Sequence, residues 1–389
     1  MDYKLNRAWA EVNLDNIAHN VREIRRVTDK KAEMMGIVKA DAYGHGVMEV
    51  AKTLLANGVT YLAVSMLDEA IQLRNAGINV PILILSYTDP IRSDEIIEND
   101  VTQAVFTHDL AEALSSAAVR LGKHAKIHIK IDTGMGRVGF LPGYNAVKDV
   151  VRISKLSGII IEGLFTHFSS ADEKEREYTN LQFGRFMSIC NELNRIGVYI
   201  PIKHVANSAA ILQYPQTHLD MVRPGVILYG MMPSNEIEGV AVDLRPAMTL
   251  KANITMVKEV EPDTSISYGR IFTTTRKTKI ATVPIGYADG YTRLLTGKGH
   301  MLVHGKRVPI LGKICMDQCM VDVTDIMEEV HVGDEVVIFG TQNGETVAIE
   351  ELAEQIGTIN YELVCIIGKR IPRVYIKDGE ISKILNYLI

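Results

Sequence analysis

The chain is 389 residues long, more than one hydrophobic core usually supports, so two domains are expected. Its composition is that of a globular protein, 47% hydrophobic and 23% charged, and its net charge of −5 leaves no basic face of the kind nucleic-acid binding needs. No run reaches the ~18 apolar residues of a membrane span, and the opening Met1-Asp2-Tyr3-Lys4-Leu5-Asn6-Arg7 lacks the apolar stretch of a secretory signal.

The four cysteines (Cys190, Cys315, Cys319, Cys365) fit thiols in a reducing cytoplasm better than a disulfide framework. Cys315 and Cys319 are spaced C-x3-C, and no second pair completes a zinc site, so no metal is expected.

In chain order, the first dozen residues, with Trp-Ala-Glu-Val at 9–12, read as an extended segment ahead of the main pattern. The first apolar run is 34–38. A helix pattern follows, with Val47, Val50, Ala51, Leu54 and Leu55 on one face and a stop near Gly58. Further strands are predicted at 61–64, 81–85, 102–106, 125–131, 158–165, 202–205 and 219–222, most of them separated by a helix pattern. Two-sided apolar strands alternating with helices imply a parallel sheet covered by helices. Eight such units in about 200 residues match the length of a (β/α)8 TIM-like barrel; an open doubly wound sheet is the alternative.

Near residue 235 the texture changes, and Ser234, Asn235, Glu236 and Gly239 mark a linker. This divides the chain into a barrel domain, 1–234, and a C-terminal mainly β domain, 235–389. Strands are predicted there at 248–257, 279–284, 300–310 and 335–339, with one helix at 348–356. The first ten residues are expected to pack on this second domain.

Reactive side chains fall at strand ends. Lys39 ends the first strand, Arg137 follows the fifth and His167 the sixth; Asn207 and Ser208 follow the seventh, and Arg223 ends the eighth. In a (β/α)8 barrel those ends meet around one mouth, where active sites form. A lysine leaving a buried strand is partly desolvated, which favours its neutral, nucleophilic amine. Gly134-Met135-Gly136-Arg137-Val138-Gly139 matches the G-x-G-x-x-G dinucleotide fingerprint, with Glu162 at about the spacing of a ribose-binding acid. Pro142 and Gly143 break any helix opening inside those glycines, and a nicotinamide site needs that helix.

The segment Val38-Lys39-Ala40-Asp41-Ala42-Tyr43-Gly44-His45-Gly46 closely resembles the cofactor-lysine signature of the alanine racemases. The resemblance continues through Lys130-Ile131-Asp132-Thr133-Gly134-Met135-Gly136-Arg137, Thr166-His167-Phe168, Ala206-Asn207-Ser208 and Val222-Arg223-Pro224-Gly225. In the second domain it extends to Ser267-Tyr268-Gly269-Arg270, Gly286-Tyr287-Ala288-Asp289-Gly290, Cys315-Met316-Asp317-Gln318 and Asn360-Tyr361-Glu362.

The resemblance implies a barrel plus a β domain, and interconversion of L- and D-alanine with pyridoxal 5'-phosphate carried on Lys39, supplying D-alanine for peptidoglycan. Lys39 and Tyr268 would be the two bases, with Tyr268 coming from the partner chain of a head-to-tail homodimer. Ser208 and the N–H groups of Gly225 and Val226 would take the phosphate, with Tyr43 and Tyr361 as hydroxyl donors; Ser208 also suits a helix N-cap. Arg223 would face the pyridine nitrogen. His167, with Arg223, would neighbour the tyrosine base, and Asn207 would complete the cofactor site. Arg137 would hold the phenolic oxygen and approach the substrate carboxylate, and Lys130 is carbamylated in some relatives to orient that arginine. Met316, Asp317 and Tyr287 would also cross over from the partner chain, to contact substrate or narrow the entrance, which Lys313 leaves different from many relatives. Three alternatives stay open: serine or broad specificity, an amino-acid decarboxylase using Cys315, and a non-catalytic carrier of the coenzyme.

Overall fold

Each apolar run of the first half becomes one strand of a parallel ring. In the computed structural model, which describes residues 7–237 and 239–389, β1 (Ala8–Asn13) and α1 (Leu14–Val27) precede that ring. The ring comprises β2 (Glu33–Ile37), β3 (Tyr61–Val64), β4 (Ile82–Ile84), β5 (Thr102–Val105), β6 (Ala125–Lys130), β7 (Ile159–Phe165), β8 (Ile202–His204) and β9 (Met221–Val222). Their order is β8-β7-β6-β5-β4-β3-β2-β9. Backbone hydrogen bonds from Asp220 N–H to Lys203 O (3.2 Å) and from Arg223 N–H to Ala206 O (3.0 Å) join the two ends. A joined ring is a (β/α)8 barrel and not an open doubly wound sheet. β3 and β5 are buried throughout, which is why such strands read as unbroken apolar runs.

Helices α2 (Val47–Ala56), α3 (Leu67–Asn75), α4 (Ser93–Glu98), α5 (His108–Leu121), α6 (Tyr144–Ser154), α7 (Glu177–Arg195) and α8 (Ser208–Gln213) connect the strands. α2 buries Val47, Val50, Ala51 and Leu54, the face its spacing predicts.

The chain divides into two compact units, one of residues 16–42 and 47–245, the other of the described part of 1–15 with 43–46 and 246–389. The sequence suggests a division at 234/235; the chain leaves the barrel unit about ten residues later because α1 holds it. Asn20 donates to Arg245 O (2.9 Å) and accepts from Arg245 N–H (2.8 Å), and Glu23 accepts from Asp243 N–H (3.1 Å).

The second unit is mainly β. Its strands are β10 (Met248–Asn253), β11 (Met256–Val260), β12 (Ser265–Ile266), β13 (Phe272–Thr273), β14 (Thr278–Val283), β15 (His300–Val303), β16 (Lys306–Leu311), β17 (Cys319–Asp322), β18 (Glu335–Gln342), β19 (Glu345–Val347), β20 (Arg373–Lys377) and β21 (Glu380–Leu385). Two short helices, α9 (Ile349–Ile356) and α10 (Asn360–Cys365), accompany them. The main sheet runs β11-β14-β17-β16-β15-β18-β10-β1-β20-β21, with β19 on β18. Of the first ten residues, 1–6 lie outside the described residues; β1 pairs antiparallel with β10 and parallel with β20.

Two runs predicted as single strands are each two. Residues 248–257 break after Asn253, so that β10 pairs with β1 and β18 while β11 pairs with β14. Residues 300–310 fold back at His304 (φ 51°) and Gly305 (φ 74°) into the β15–β16 hairpin, a turn that needs positive φ at both positions. Among the described residues no helix is long and apolar enough to cross a membrane.

Candidate active site

Lys39 is half-buried, one residue beyond the strand-like Val38, whose N–H donates to Ala63 O at 2.9 Å. The chain then enters a left-handed turn: Ala40, Asp41 and Ala42 have φ of 53°, 54° and 55°. A left-handed conformation costs roughly 1–2 kcal/mol per non-glycine residue, so surrounding contacts must impose it. Three do. Ala42 N–H donates to Val38 O (2.9 Å), Ala40 N–H to Glu69 Oε1 (2.6 Å), and Asp41 Oδ1 accepts from Val47 N–H (2.7 Å) at the start of α2.

At the end of the neighbouring strand β9, Arg223 is buried with 4% exposure. Its guanidinium donates to Thr166 O (2.9 Å) and Val205 O (3.0 Å), lies 2.9 Å from His204 Nδ1 and reaches His167 Nδ1 at 3.3 Å. Nε2 of His204 lies 2.8 Å from Nδ1 of His128. Arginine can only donate, so the tautomers follow in sequence. His204 accepts at Nδ1 and therefore carries its proton on Nε2, which it donates to His128. His128 then carries its proton on Nε2, an atom with no hydrogen-bond partner among the described residues.

Burial, reinforced by Arg223, pushes His128 down to about 3 and His204 well below the usual histidine range. His167 is also pushed well down, by burial first and then by Arg223, Lys130, Arg137 and Lys39. All three rings are therefore neutral near pH 7. Burial and Arg137 lower Arg223 to about 9, so it keeps its charge there. The buried Lys130 amine is held well below the ordinary lysine range by desolvation, Arg223 and Arg137, and sits 4.8 Å from the centre of the Phe165 ring. Lys39, Lys130, Arg137 and Arg223 thus all act on one imidazole. The strand ends converge as their positions in the sequence suggest.

Arg137 is exposed, on a loop folded around its own carboxylate. Asp132 Oδ1 accepts from Gly134 N–H and Gly136 N–H, and Oδ2 from Arg137 N–H, each at 3.0 Å. An internal anion fills the place a pyrophosphate would take, and no helix begins before Tyr144. The G-x-G-x-x-G segment is a carboxylate nest. Helix α7 grips the loop from outside. Tyr178 donates to Gly134 O (2.9 Å) and Arg185 to Thr133 O (2.8 Å), while Gln182 donates to His167 O (3.2 Å) and Thr133 Oγ1 (3.4 Å).

At the end of β8 the N-cap of α8 is Asn207, not Ser208: Asn207 Oδ1 accepts from Ala210 N–H at 3.0 Å. That leaves Ser208 Oγ to accept from Gly225 N–H (2.9 Å), with the buried Val226 opening the next turn. Ser208 keeps its own hydroxyl proton for another acceptor.

In the second unit Tyr268 is 69% exposed on a turn between Ser267 (φ 65°) and Gly269 (φ 72°). Ser267 donates to Lys313 O at 2.6 Å. From there the chain reaches Cys315 and Met316, whose carbonyls accept from Tyr287 N–H (3.1 Å) and Ala288 N–H (3.0 Å). A side chain at Gly286 would strike those two carbonyls at 2.3 and 2.4 Å, so only glycine permits this approach. Tyr268, Met316 and Tyr287 therefore sit on adjoining loops. Asp317 pairs with Arg370 (2.6 Å), and Tyr361 lies 6.3 Å from Tyr43, ring centre to ring centre. Burial first, then Tyr361 and Cys365, raises the Tyr43 phenol.

His128, His204, Glu69 and Gln182 were not singled out from the sequence. His128 and Lys130 alternate on β6, which places two polar side chains on one face of a buried strand, and that was the available signal.

The family model described as "Alanine racemase, N-terminal domain" matches residues 12–233, and "Alanine racemase, C-terminal domain" matches 247–375. The chain belongs to the alanine racemase family. Similar family members include alanine racemase 1 of Clostridium acetobutylicum, 52% identical over 380 residues and covering 98% of each chain. The alanine racemase of Clostridium novyi is 49% identical over 384 residues, 99% of each chain. The solved alanine racemase of Clostridium difficile 630 superposes with a TM-score of 0.94 at 44% identity, covering 98% of this chain and 99% of that one. Family members are isomerases that racemise amino acids, and racemisation is favoured over the decarboxylase and carrier alternatives.

Proposed function

We propose that this chain interconverts L- and D-alanine with pyridoxal 5'-phosphate carried on Lys39, with Tyr268 of a partner chain as the second base. The observation that carries this reading is the charge at the barrel mouth. Arg137 and Arg223 bear, with Lys39, on the His167 ring, the histidines there are neutral, and the Asp132 carboxylate is already engaged by backbone N–H groups. Such a donor set fits an anionic coenzyme and a substrate carboxylate. Bound there, the coenzyme would supply the electron sink for the charge that develops at Cα.

The chain's own groups supply position and proton traffic. Lys39 would hold the coenzyme, and its amine would take or return the Cα proton on one face. Tyr268 serves the other face, with His167 and Arg223 as neighbours. Arg223 keeps its proton, so facing the ring nitrogen it would donate to it and leave it unprotonated, restraining side reactions. Ser208 and the N–H groups of Gly225 and Val226 would take the phosphate, Gly225 N–H also holding Ser208 Oγ in place, with Asn207 holding the helix that presents Ser208 and with Tyr43 and Tyr361 as hydroxyl donors. Arg137 and the partner's Met316 N–H would meet the substrate carboxylate, the partner's Asp317 and the partner's Tyr287 would shape a small pocket, and a carbamylated Lys130 would orient Arg137. Shared sites require a homodimer. The product would be D-alanine made in the cytoplasm for peptidoglycan.

The test is chiral chromatography of alanine incubated with the purified protein and coenzyme, from each enantiomer. Both directions should approach a racemate, Lys39→Ala should stop both, and borohydride should fix the coenzyme on the Lys39 peptide. Carbon dioxide release without loss of optical rotation from L-alanine would overturn the reading, and undiminished rates in both directions for Tyr268→Phe would overturn the role of Tyr268.

A further inference from the structure

Glu69 stands in the first turn of α3, where a carboxylate ordinarily closes the helix's own N-terminus. Its Oε2 does so, accepting from Ser65 N–H (2.8 Å) and Met66 N–H (3.1 Å). Its Oε1 reaches out of the unit it caps, to Ala40 N–H at 2.6 Å. Ala40 is the residue after Lys39 and the first of the left-handed turn. One carboxylate therefore fastens the β3–α3 loop to the backbone that presents the Lys39 amine. Asp41 provides a second tie through Val47 N–H, but it lies inside the turn and moves with it. Glu69 is rooted in a different βα unit.

We propose that Glu69 is a positioning residue for Lys39, its carboxylate bridging the start of α3 and the Ala40 N–H so that the amine points in one direction. The inference rests on the reading of Lys39 as the coenzyme-bearing amine. Its cap function alone would make Glu69 a contributor to stability; the bridge makes it a determinant of where the amine stands.

Glu69→Gln separates the two roles. An amide has one acceptor oxygen, and turned toward Ser65 and Met66 it keeps two hydrogen bonds, leaving its NH2 against the Ala40 N–H. The cap survives and the bridge is lost. Thr107→Ala is the control, because Thr107 caps α5 through Leu110 N–H and makes no hydrogen bond to the Lys39 turn among the described residues.

In the holoenzyme, Glu69→Gln should lower kcat by roughly 10- to 100-fold through misplacement of the amine, with the KM for alanine nearly unchanged. It should also shift the pH at which the bound coenzyme's absorbance changes, and reduce the fraction of Lys39 labelled by borohydride. In the coenzyme-free protein, amide exchange should quicken at Ala40 and Ala42 and not along α3. Thr107→Ala should lower Tm while leaving the spectrum, the labelling and kcat alone. Glu69→Asp, too short to span both ends, should behave as Glu69→Gln does, and it replaces that variant if the amide does not fold. A Glu69→Gln holoenzyme with wild-type labelling, absorbance profile and kcat would overturn the proposal while leaving the Lys39 reading intact. Wild-type protein that takes no label on Lys39 would bring down both.

Discussion

Nδ1 of His204 lies 2.9 Å from the Arg223 guanidinium, and because arginine has no acceptor this single contact dictates which nitrogen of two successive buried imidazoles bears a proton. It also makes protonation of either ring unfavourable, since a second positive charge would face Arg223 without solvent.

Stability should therefore fall in mild acid. The folded-state values of His128 and His204 are depressed, so between the unfolded value of about 6.5 and the folded value the unfolded chain binds more protons. Their stabilising contribution is complete above about pH 6.5 and is lost as pH falls toward the folded value, about 3 for His128. Tm measured from pH 8 to 4 should drop with a slope that His128→Phe makes shallower. At neutral pH the same variant should cost roughly 1–3 kcal/mol, because His204 Nε2–H loses its acceptor. A Tm profile below pH 6.5 identical to wild type would contradict the tautomer chain.

Gln182 is fully buried and uses all four of its hydrogen-bonding positions, two toward His167 O and Thr133 and two from Ser169. Gln182→Leu strands these partners and should destabilise by roughly 2–4 kcal/mol. Because the amide ties the Arg137 loop to the His167 loop, the loss should also raise the KM for alanine. Chemical denaturation with parallel kinetics checks both effects. Unchanged KM in a destabilised protein would confine Gln182 to stability.

Gly163 pairs with His128 in register, and a Cβ placed there would lie 2.4 Å from the His128 ring. Gly163→Ala should cost roughly 1–3 kcal/mol by overpacking, with the harm reaching Arg223 through the two rings. Adding His128→Ala should restore part of the stability. A double mutant cycle by thermal unfolding tests that coupling, and strict additivity would refute it.

The proposed sharing of sites between subunits is tested by complementation. Lys39→Ala and Tyr268→Phe should each be inactive or nearly so, and after mixing and subunit exchange should recover about a quarter of wild-type activity, one intact site in each heterodimer. No recovery after proven exchange would place both bases in one chain.

The barrel was legible because most of its strands are buried on both faces and its helices on one, and Met34, Leu62, Ile84, Ile129 and Leu164 carry that pattern openly. The mouth was legible because Lys39, His167 and Arg223 follow those strands at once. The β unit was harder to read. Asn253 and His304-Gly305 end strands through turn geometry that an apolar count passes over. Glu69 and Gln182 were hidden for another reason: each acts on backbone groups far away in sequence, and a carboxylate or an amide on a helix looks alike whether it faces water or a loop. The meaning of Gly134-x-Gly136 likewise depended on Asp132 folding back on it, which spacing does not encode.

Barrels of this class usually fill their axis with Val, Ile and Leu, whereas here Tyr61 of β3 meets His128 of β6 across the ring, and His128 meets His204. Thermostabilisation by greasing that axis would therefore trade heat resistance against the surroundings that hold Arg223. Gains that leave turnover untouched should come from outer-helix and β-sheet positions away from Glu69, Gln182 and the Tyr268 turn.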